Sequence, residues 1–366
     1  MITTKVHLKD RSYDIVIGDG LLKKVGGILK KLDIGQDAVV ITNERLLRLY
    51  RRPLEKSLTE GKLTVHFETV PDSEKAKSAT IATRLIDRIS KHDKSKSIFI
   101  IAFGGGVVGD LAGFVAAVYK RGIPYIQIPT TLLAQVDSAI GGKVAIDLSV
   151  AKNMVGAFYQ PKIVISDVSV LKSLSTKQVR NGLAEIIKYG IIEDAGLFSF
   201  LEANYAKILK RDRNALEHVI ERSARIKAGF VERDELDKKG IRAILNYGHT
   251  IGHAIEAATR YSGRYSHGEA IAIGMIVAAR ISQRLGLMHQ APADRIERLI
   301  NSTGLPTKIE GLRFEDIYES HLHDKKFSRK KNRFVLPARI GKASVVEDVS
   351  DSAIRSVLKA YLKSEG

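Results

Sequence analysis

A chain of 366 residues is long enough for two cores, and 44% hydrophobic with 27% charged residues is the composition of a folded protein, not a disordered one. The absence of cysteine excludes disulfides and thiolate metal sites, so any metal must sit on His, Asp or Glu. The net charge of +18 comes in short groups such as Lys30-Lys31 and Arg329-Lys330-Lys331, with 6% aromatics and no basic–aromatic interleaving, which favours an enzyme handling small anions over a specific nucleic-acid binder.

The opening, MITTKVHLKDRSYDIVIG, alternates like a strand and lacks the apolar h-region of a secretion signal. No apolar run reaches the roughly 18 residues of a bilayer span, so no membrane partner and a cytoplasmic location are expected. Residues 38–42, 63–70, 97–103, 124–129 and 162–167 read as strands, with helical spacing over 74–91 and 107–119 between them. From about residue 175 the character changes to successive helical segments: 178–190, 195–209, 214–235, 242–259 and 268–285. The expectation is an α/β domain over 1–170 and a mainly α-helical domain over 171–366, with a ligand in the cleft between them.

Three glycines, Gly104, Gly105 and Gly106, follow a fully apolar strand and open a helix through Val107, Val108, Gly109 and Asp110. Glycines let a backbone approach a bulky anion, and the helix start offers oriented N–H groups, an arrangement suited to a pyrophosphate. The spacing is not that of the Rossmann fingerprint, and a plain strand-to-helix turn reads the same way. Pro71 to Lys77 also leaves a strand for a helix, either as a capped start or with a carboxylate for a ribose hydroxyl. Thr130 and Thr131 end another strand as an N-cap or a ligand contact.

In the second half, Glu185 and Lys188 lie one turn apart on one helix face. Arg242, Asn246, His249 and His253 step by four, three and four residues, which predicts one polar stripe on a single helix. Such a stripe is the wrong chemistry for packing, because each buried group would need a partner. His267 opens the apolar helix that follows. Two histidines and a carboxylate leave an exchangeable position, as in a catalytic zinc site, so the expected ligands are Glu185, His267 and either His249 or His253. The remaining histidines, His7, His66, His92, His218, His289, His321 and His323, read as ordinary core or surface residues.

The string GGGVVGDLAGFVAAVYKRGIPYIQIPTTLLAQVDSAIGGKVAID, then KNMVGAFYQP, GLAEIIKYGII, LNYGHTIGHAIEA, HGEAIAIGM and DKK…FVLP, resembles the 3-dehydroquinate synthase family from about residue 70 to 342. The resemblance implies conversion of 3-deoxy-D-arabino-heptulosonate 7-phosphate to 3-dehydroquinate and phosphate. The steps implied are transient oxidation by NAD, phosphate elimination, re-reduction and intramolecular aldol closure. It implies one zinc or cobalt ion on Glu185, His249 and His267. NAD would be held by Asp72, Ser73, Glu74, Lys75, Ala76 and Lys77, by residues 104–110, and by Thr130, Thr131, Lys143, Lys152, Val170, Leu171, Lys172 and Ser173. Asp137, Lys143, Asn153, Lys188, Lys227, Arg242, Asn246, His253 and Lys325 would face the substrate. Arg121 would be presented to the neighbouring subunit of a homodimer.

The chain departs from the family pattern at Asn43, where an acid is common, at Val144 and Asp147, where Thr and Asn are usual, and over Ser173 to Gln178. Two other enzyme classes share many of these features: a sugar-phosphate cyclase acting on a substrate without a carboxylate, and a metal-dependent polyol or glycerol-1-phosphate dehydrogenase. Gly141-Gly142-Lys143, with Arg242 and Lys227, favours a substrate that carries a carboxylate.

Overall fold

The computed structural model describes residues 1–94, 97–148, 151–327 and 332–363. The chain forms two compact units, Met1–Leu174 with Leu216–Leu236, and Ser175–Ala215 with Asp237–Gly366. The class is the expected one, a parallel-sheet α/β part followed by a mostly helical part.

The first unit contains strands β1 (Ile2–Val6), β2 (Tyr13–Gly18), β3 (Asp37–Thr42), β4 (Thr64–Thr69), β5 (Ile98–Gly104), β6 (Tyr125–Pro129), β7 (Lys143–Ile146), β8 (Val155–Phe158) and β9 (Ile163–Asp167). Among the described residues one sheet of seven strands runs β1-β2-β9-β6-β5-β3-β4, parallel except for the β1–β2 pair. Every residue of β5 and β6 is buried, which is why these segments read as unbroken apolar runs and not as alternating ones. Helices α1 (Val25–Lys30), α2 (Glu44–Glu60), α3 (Ala79–His92) and α4 (Gly106–Val118) connect the strands. The side chain of Asn43 caps α2 at Leu46 N–H, and that of Ser78 caps α3 at Ile81 N–H. The antiparallel β7–β8 hairpin packs by β7 against α4.

The second unit begins with α5 (Thr176–Ile192) and α6 (Ala195–Leu209). The long α7 (Arg213–Arg233) returns the chain to the first unit. There Arg11 holds Glu235 through Nε at 3.0 Å and Nη2 at 2.9 Å, and His7 N–H donates to Glu232 at 2.7 Å. The second unit then continues with α8 (His249–Ala258), α9 (His267–Arg284), α10 (Gln290–Ser302), α11 (Phe314–Phe327), the antiparallel pair β10 (Phe334–Arg339) and β11 (Lys342–Val346), and α12 (Asp351–Ala360). Buried α9 is its centre, packed against α5, α8, α10, α12 and β10. Among the described residues no helix is long and apolar enough to cross a membrane.

One expected element is different. Residues 242–259 are not a single helix: Ile241–Asn246 is a 3-10 segment, Gly248 takes φ +79°, and α8 starts afresh at His249. At three residues per turn the 3-10 segment puts Arg242 and Asn246 on different faces, Arg242 buried and Asn246 exposed, and the turn at Gly248 then separates both from the spacing of His249 and His253.

Candidate active site

Glu185 projects from the middle of α5 and is fully buried. The rings of His249 and His267, each the first residue of its helix, approach the same carboxylate oxygen. Their Nε2 atoms lie 3.5 Å and 3.3 Å from Glu185 Oε1. One donor atom from each of the three residues falls within 4.8 Å of the other two. On the other side Lys188 Nζ is 2.5 Å from Glu185 Oε2. A buried carboxylate without such a partner would be costly, and one turn of helix supplies it.

Close helix contacts hold the two histidines in place. At Gly274 on α9 a Cβ would lie 1.9 Å from the Gly248 carbonyl oxygen, so only glycine lets α9 approach the start of α8 this closely. Gly268 N–H donates to Asn181 Oδ1, tying the start of α9 to α5 beside Glu185. Ser266 and Glu269 add a capping box at the same helix start.

Tyr247 carbonyl oxygen is 3.1 Å from His249 Nδ1, and Glu256 Oε2 is 3.4 Å from His267 Nδ1. Burial drives His249 down to about 3. Burial also pulls His267 down, but hydrogen bonds and charge from Glu185 and Glu256 outweigh it and carry that imidazole up to about 10. His253 lies on the same helix, its ring 5.2 Å from that of His249 and 6.2 Å from that of His267, and it is exposed. Two imidazoles, of which His249 is already neutral and His267 must give up a proton to a metal, converge with a carboxylate on one point and have the donor chemistry of a divalent zinc or cobalt site.

In the first unit the glycine turn closes β5 at Gly104, and α4 begins at Gly106. Thr130 N–H donates to the Gly104 carbonyl at 2.9 Å, while Thr131 Oγ1 accepts Ala134 N–H at 3.1 Å. Buried Lys77 reaches Asp110 at 2.8 Å and donates to Asn153 Oδ1, with Glu74 and Asp147 each 3.9 Å away. Burial raises Asp110 to about 6, with Lys77 opposing it. The Lys77 cluster thus joins the turn after β4, the start of α4 and the β7–β8 loop.

Asn153 adopts φ 56°, and its N–H donates to Asp147 at 2.7 Å. Lys152 faces Glu74 at 3.7 Å, and Lys143 opens β7 with its ammonium 6.0 Å from the Phe158 ring centroid. The segment Val170 to Ser173 lies in a 3-10 turn braced by Tyr50 at the Val170 carbonyl and Arg45 at the Ser173 carbonyl.

Asp137 sits in a π-turn over Ala134–Ser138, a geometry common near functional residues, and Lys227 of α7 donates to it at 2.5 Å. Arg121 follows Lys120 in a left-handed pair, φ 65° and 50°, before Gly122. Lys325 falls on α11, and its side chain lies outside the described residues, as does the Arg329–Lys331 group.

The departures from the family pattern have structural reasons. Asn43 Nδ2 donates to Asp72 at 2.8 Å, linking the ends of β3 and β4. Val144 is buried against Gly113 of α4, where a Cβ would meet it at 2.4 Å. Ser175 and Gln178 form a capping box that starts α5. Sequence reasoning missed Glu256 and the spacing glycines Gly268 and Gly274; the position of Glu256 two turns beyond His249 was the available signal.

Family models for the 3-dehydroquinate synthase N-terminal and C-terminal parts match residues 67–181 and 182–327. A 3-dehydroquinate synthase from Desulforamulus reducens is 48% identical over 98% of this chain and 99% of its own. The chain belongs to the 3-dehydroquinate synthase family. Among solved structures, a 2-deoxy-scyllo-inosose synthase complexed with carbaglucose-6-phosphate, NAD+ and Co2+ is 28% identical, with TM-score 0.88 over 99% of this chain and all (100%) of that one. A 2-epi-5-epi-valiolone synthase from Streptomyces hygroscopicus subsp. jinggangensis with NAD+ and Zn2+ bound is 26% identical, with TM-score 0.88 over 97% of this chain and 98% of that one.

Proposed function

We propose that this member of the 3-dehydroquinate synthase family converts 3-deoxy-D-arabino-heptulosonate 7-phosphate into 3-dehydroquinate and phosphate, with NAD and one divalent ion. The observation that carries the reading is the fully buried Glu185 carboxylate with two imidazole Nε2 atoms turned to one of its oxygens. Glu185, His249 and His267 would hold the ion. Bound NAD supplies a reversible hydride acceptor and the ion supplies Lewis acidity, with no net oxidation over a turnover.

The chain's own residues prepare for a doubly anionic substrate. The residues assigned to the substrate by the family resemblance, Arg242, Lys188, Lys143, Lys227 and Asn153, are donors of the kind that carboxylate and phosphate groups need. Lys325, Asn246 and His253 belong with them. Asp137, held by Lys227, is a fixed carboxylate beside a fixed ammonium, able to orient a hydroxyl or pass a proton. The turn of residues 104–110 and the Lys77 cluster support the NAD assignment for Asp72 to Lys77, Thr130, Thr131, Lys152 and Val170 to Ser173. The strained Lys120-Arg121 pair suits a side chain presented outward, and Arg121 is assigned to the neighbouring subunit's site in a cytoplasmic homodimer.

The deciding assay measures phosphate release from 3-deoxy-D-arabino-heptulosonate 7-phosphate with and without NAD and Co2+. Phosphate should appear only when both are present, and NADH should not accumulate. Stoichiometric NADH, or equal rates with a sugar phosphate lacking the carboxylate, would overturn the assignment.

A further inference from the structure

His249 and His267 turn Nε2 toward Glu185 Oε1 at 3.5 Å and 3.3 Å. An imidazole offers a lone pair at Nε2 when its proton sits on Nδ1, and the acceptor facing Nδ1 decides that placement. For His249 the acceptor is the Tyr247 carbonyl, which the chain itself supplies. For His267 it is a side chain, Glu256, whose Oε2 lies 3.4 Å from Nδ1. Glu256 stands on α8 two turns beyond His249, with 14% of its side chain exposed. The helix that begins with one imidazole therefore also carries the group facing the back of the other.

We propose that Glu256 is a positioning residue for the metal centre: it accepts the Nδ1 proton of His267 and fixes the ring with Nε2 toward Glu185. The inference rests on the metal assignment above. A carboxylate behind a ligating imidazole fixes the tautomer and makes the ring a stronger donor. The geometry also offers a competing role, since His253, Glu256 and His267 bring donor atoms within 4.8 Å of one another. In that arrangement Glu256 would be a ligand itself. It is disfavoured because it would use His267 through Nδ1 and forgo the fully buried Glu185, in exchange for the exposed His253.

The test is a Co2+ titration of the metal-stripped full chain, read by visible absorption, for the parent, E256Q and E256A. Loss of the carboxylate should weaken Co2+ binding by about 10- to 100-fold in E256A. E256Q, which keeps an acceptor oxygen, should fall between E256A and the parent. At saturation all three should show the same band shape and intensity, because the ligands are unchanged. An unchanged Kd in E256A, or a saturated spectrum of altered intensity, would overturn the proposal. Metal-free melting temperatures separate the effect from loss of fold, and E256Q carries the test if E256A does not fold. A chain that binds Co2+ in a Glu256-dependent way yet releases no phosphate would keep this inference and sink the proposed reaction.

Discussion

Lys227 Nζ lies 2.5 Å from Asp137 Oδ1, a contact between two residues 90 positions apart. It joins the middle of α7 to the π-turn after β6 and is one of the contacts that bind this helix to the sheet unit. Both side chains are more than three-quarters shielded, with 10% and 22% exposed. Replacing either partner alone, as Lys227→Met or Asp137→Asn, should cost about 2 kcal/mol, because the remaining charge loses its counter-ion. The double variant should cost less than the sum. Denaturant midpoints of the four proteins check this, and strict additivity would remove the pair from the account.

His267→Ala should abolish Co2+ binding at micromolar concentrations and with it phosphate release. Chelation of the parent should be reversed by added zinc or cobalt. Activity that survives either treatment counts against Glu185, His249 and His267 as the ligand set.

The pH dependence follows from His267. Its folded value of about 10 lies above the ordinary 6.5, so protonation stabilises the metal-free chain. That contribution is complete below about pH 6.5 and is lost as pH rises through about 10. Metal competes with this proton. Binding at pH 7 should release one proton per ion, and apparent affinity should rise by about tenfold per pH unit up to that range. His249, near 3, is already neutral and adds none. Calorimetry in buffers of different ionisation enthalpy measures the proton count, and zero or two would contradict the assignment.

Gly274→Ala places a methyl group 1.9 Å from the Gly248 carbonyl oxygen. The start of α8 must move, so the variant should lose about 3 kcal/mol of stability and bind Co2+ more weakly as His249 is displaced. Parent-like Co2+ affinity would show that the close contact does not position this ligand.

Arg242→Ala should depress turnover of a carboxylate-bearing substrate while leaving NAD affinity within about twofold of the parent. Initial rates and fluorescence titration with NADH separate the two. An unchanged rate would remove Arg242 from the substrate side.

The sheet was legible because β3, β5, β6 and β9, buried on both faces, appear as apolar runs, while the edge strand β4 shows as a short β-branched and aromatic one; all five begin and end within a residue or two of the sequence expectation. The hairpins β7–β8 and β10–β11 were not, because short two-stranded ribbons carry little apolar periodicity. Helix α9 was read nearly to the residue, whereas the segment before α8 was misread as continuous helix. Gly248 is compatible with helical spacing on paper, and its left-handed turn follows only from the contact with α9. The trio proposed to hold the metal could be narrowed to four residues from chemistry alone. Selection of His249 over His253 needed the family resemblance, and Glu256 escaped notice because a carboxylate on a helix face is usually a solvated one.

Helix α7 crosses the boundary between the two units within a single rod, its first turn in one and its remainder in the other. No single cut therefore separates the chain into self-sufficient halves. A fragment ending at Leu174 would hold every strand of the large sheet yet lack the lysine that answers Asp137. During synthesis the sheet unit stays incomplete until the ribosome has passed residue 236, after the first helices of the other unit have already emerged.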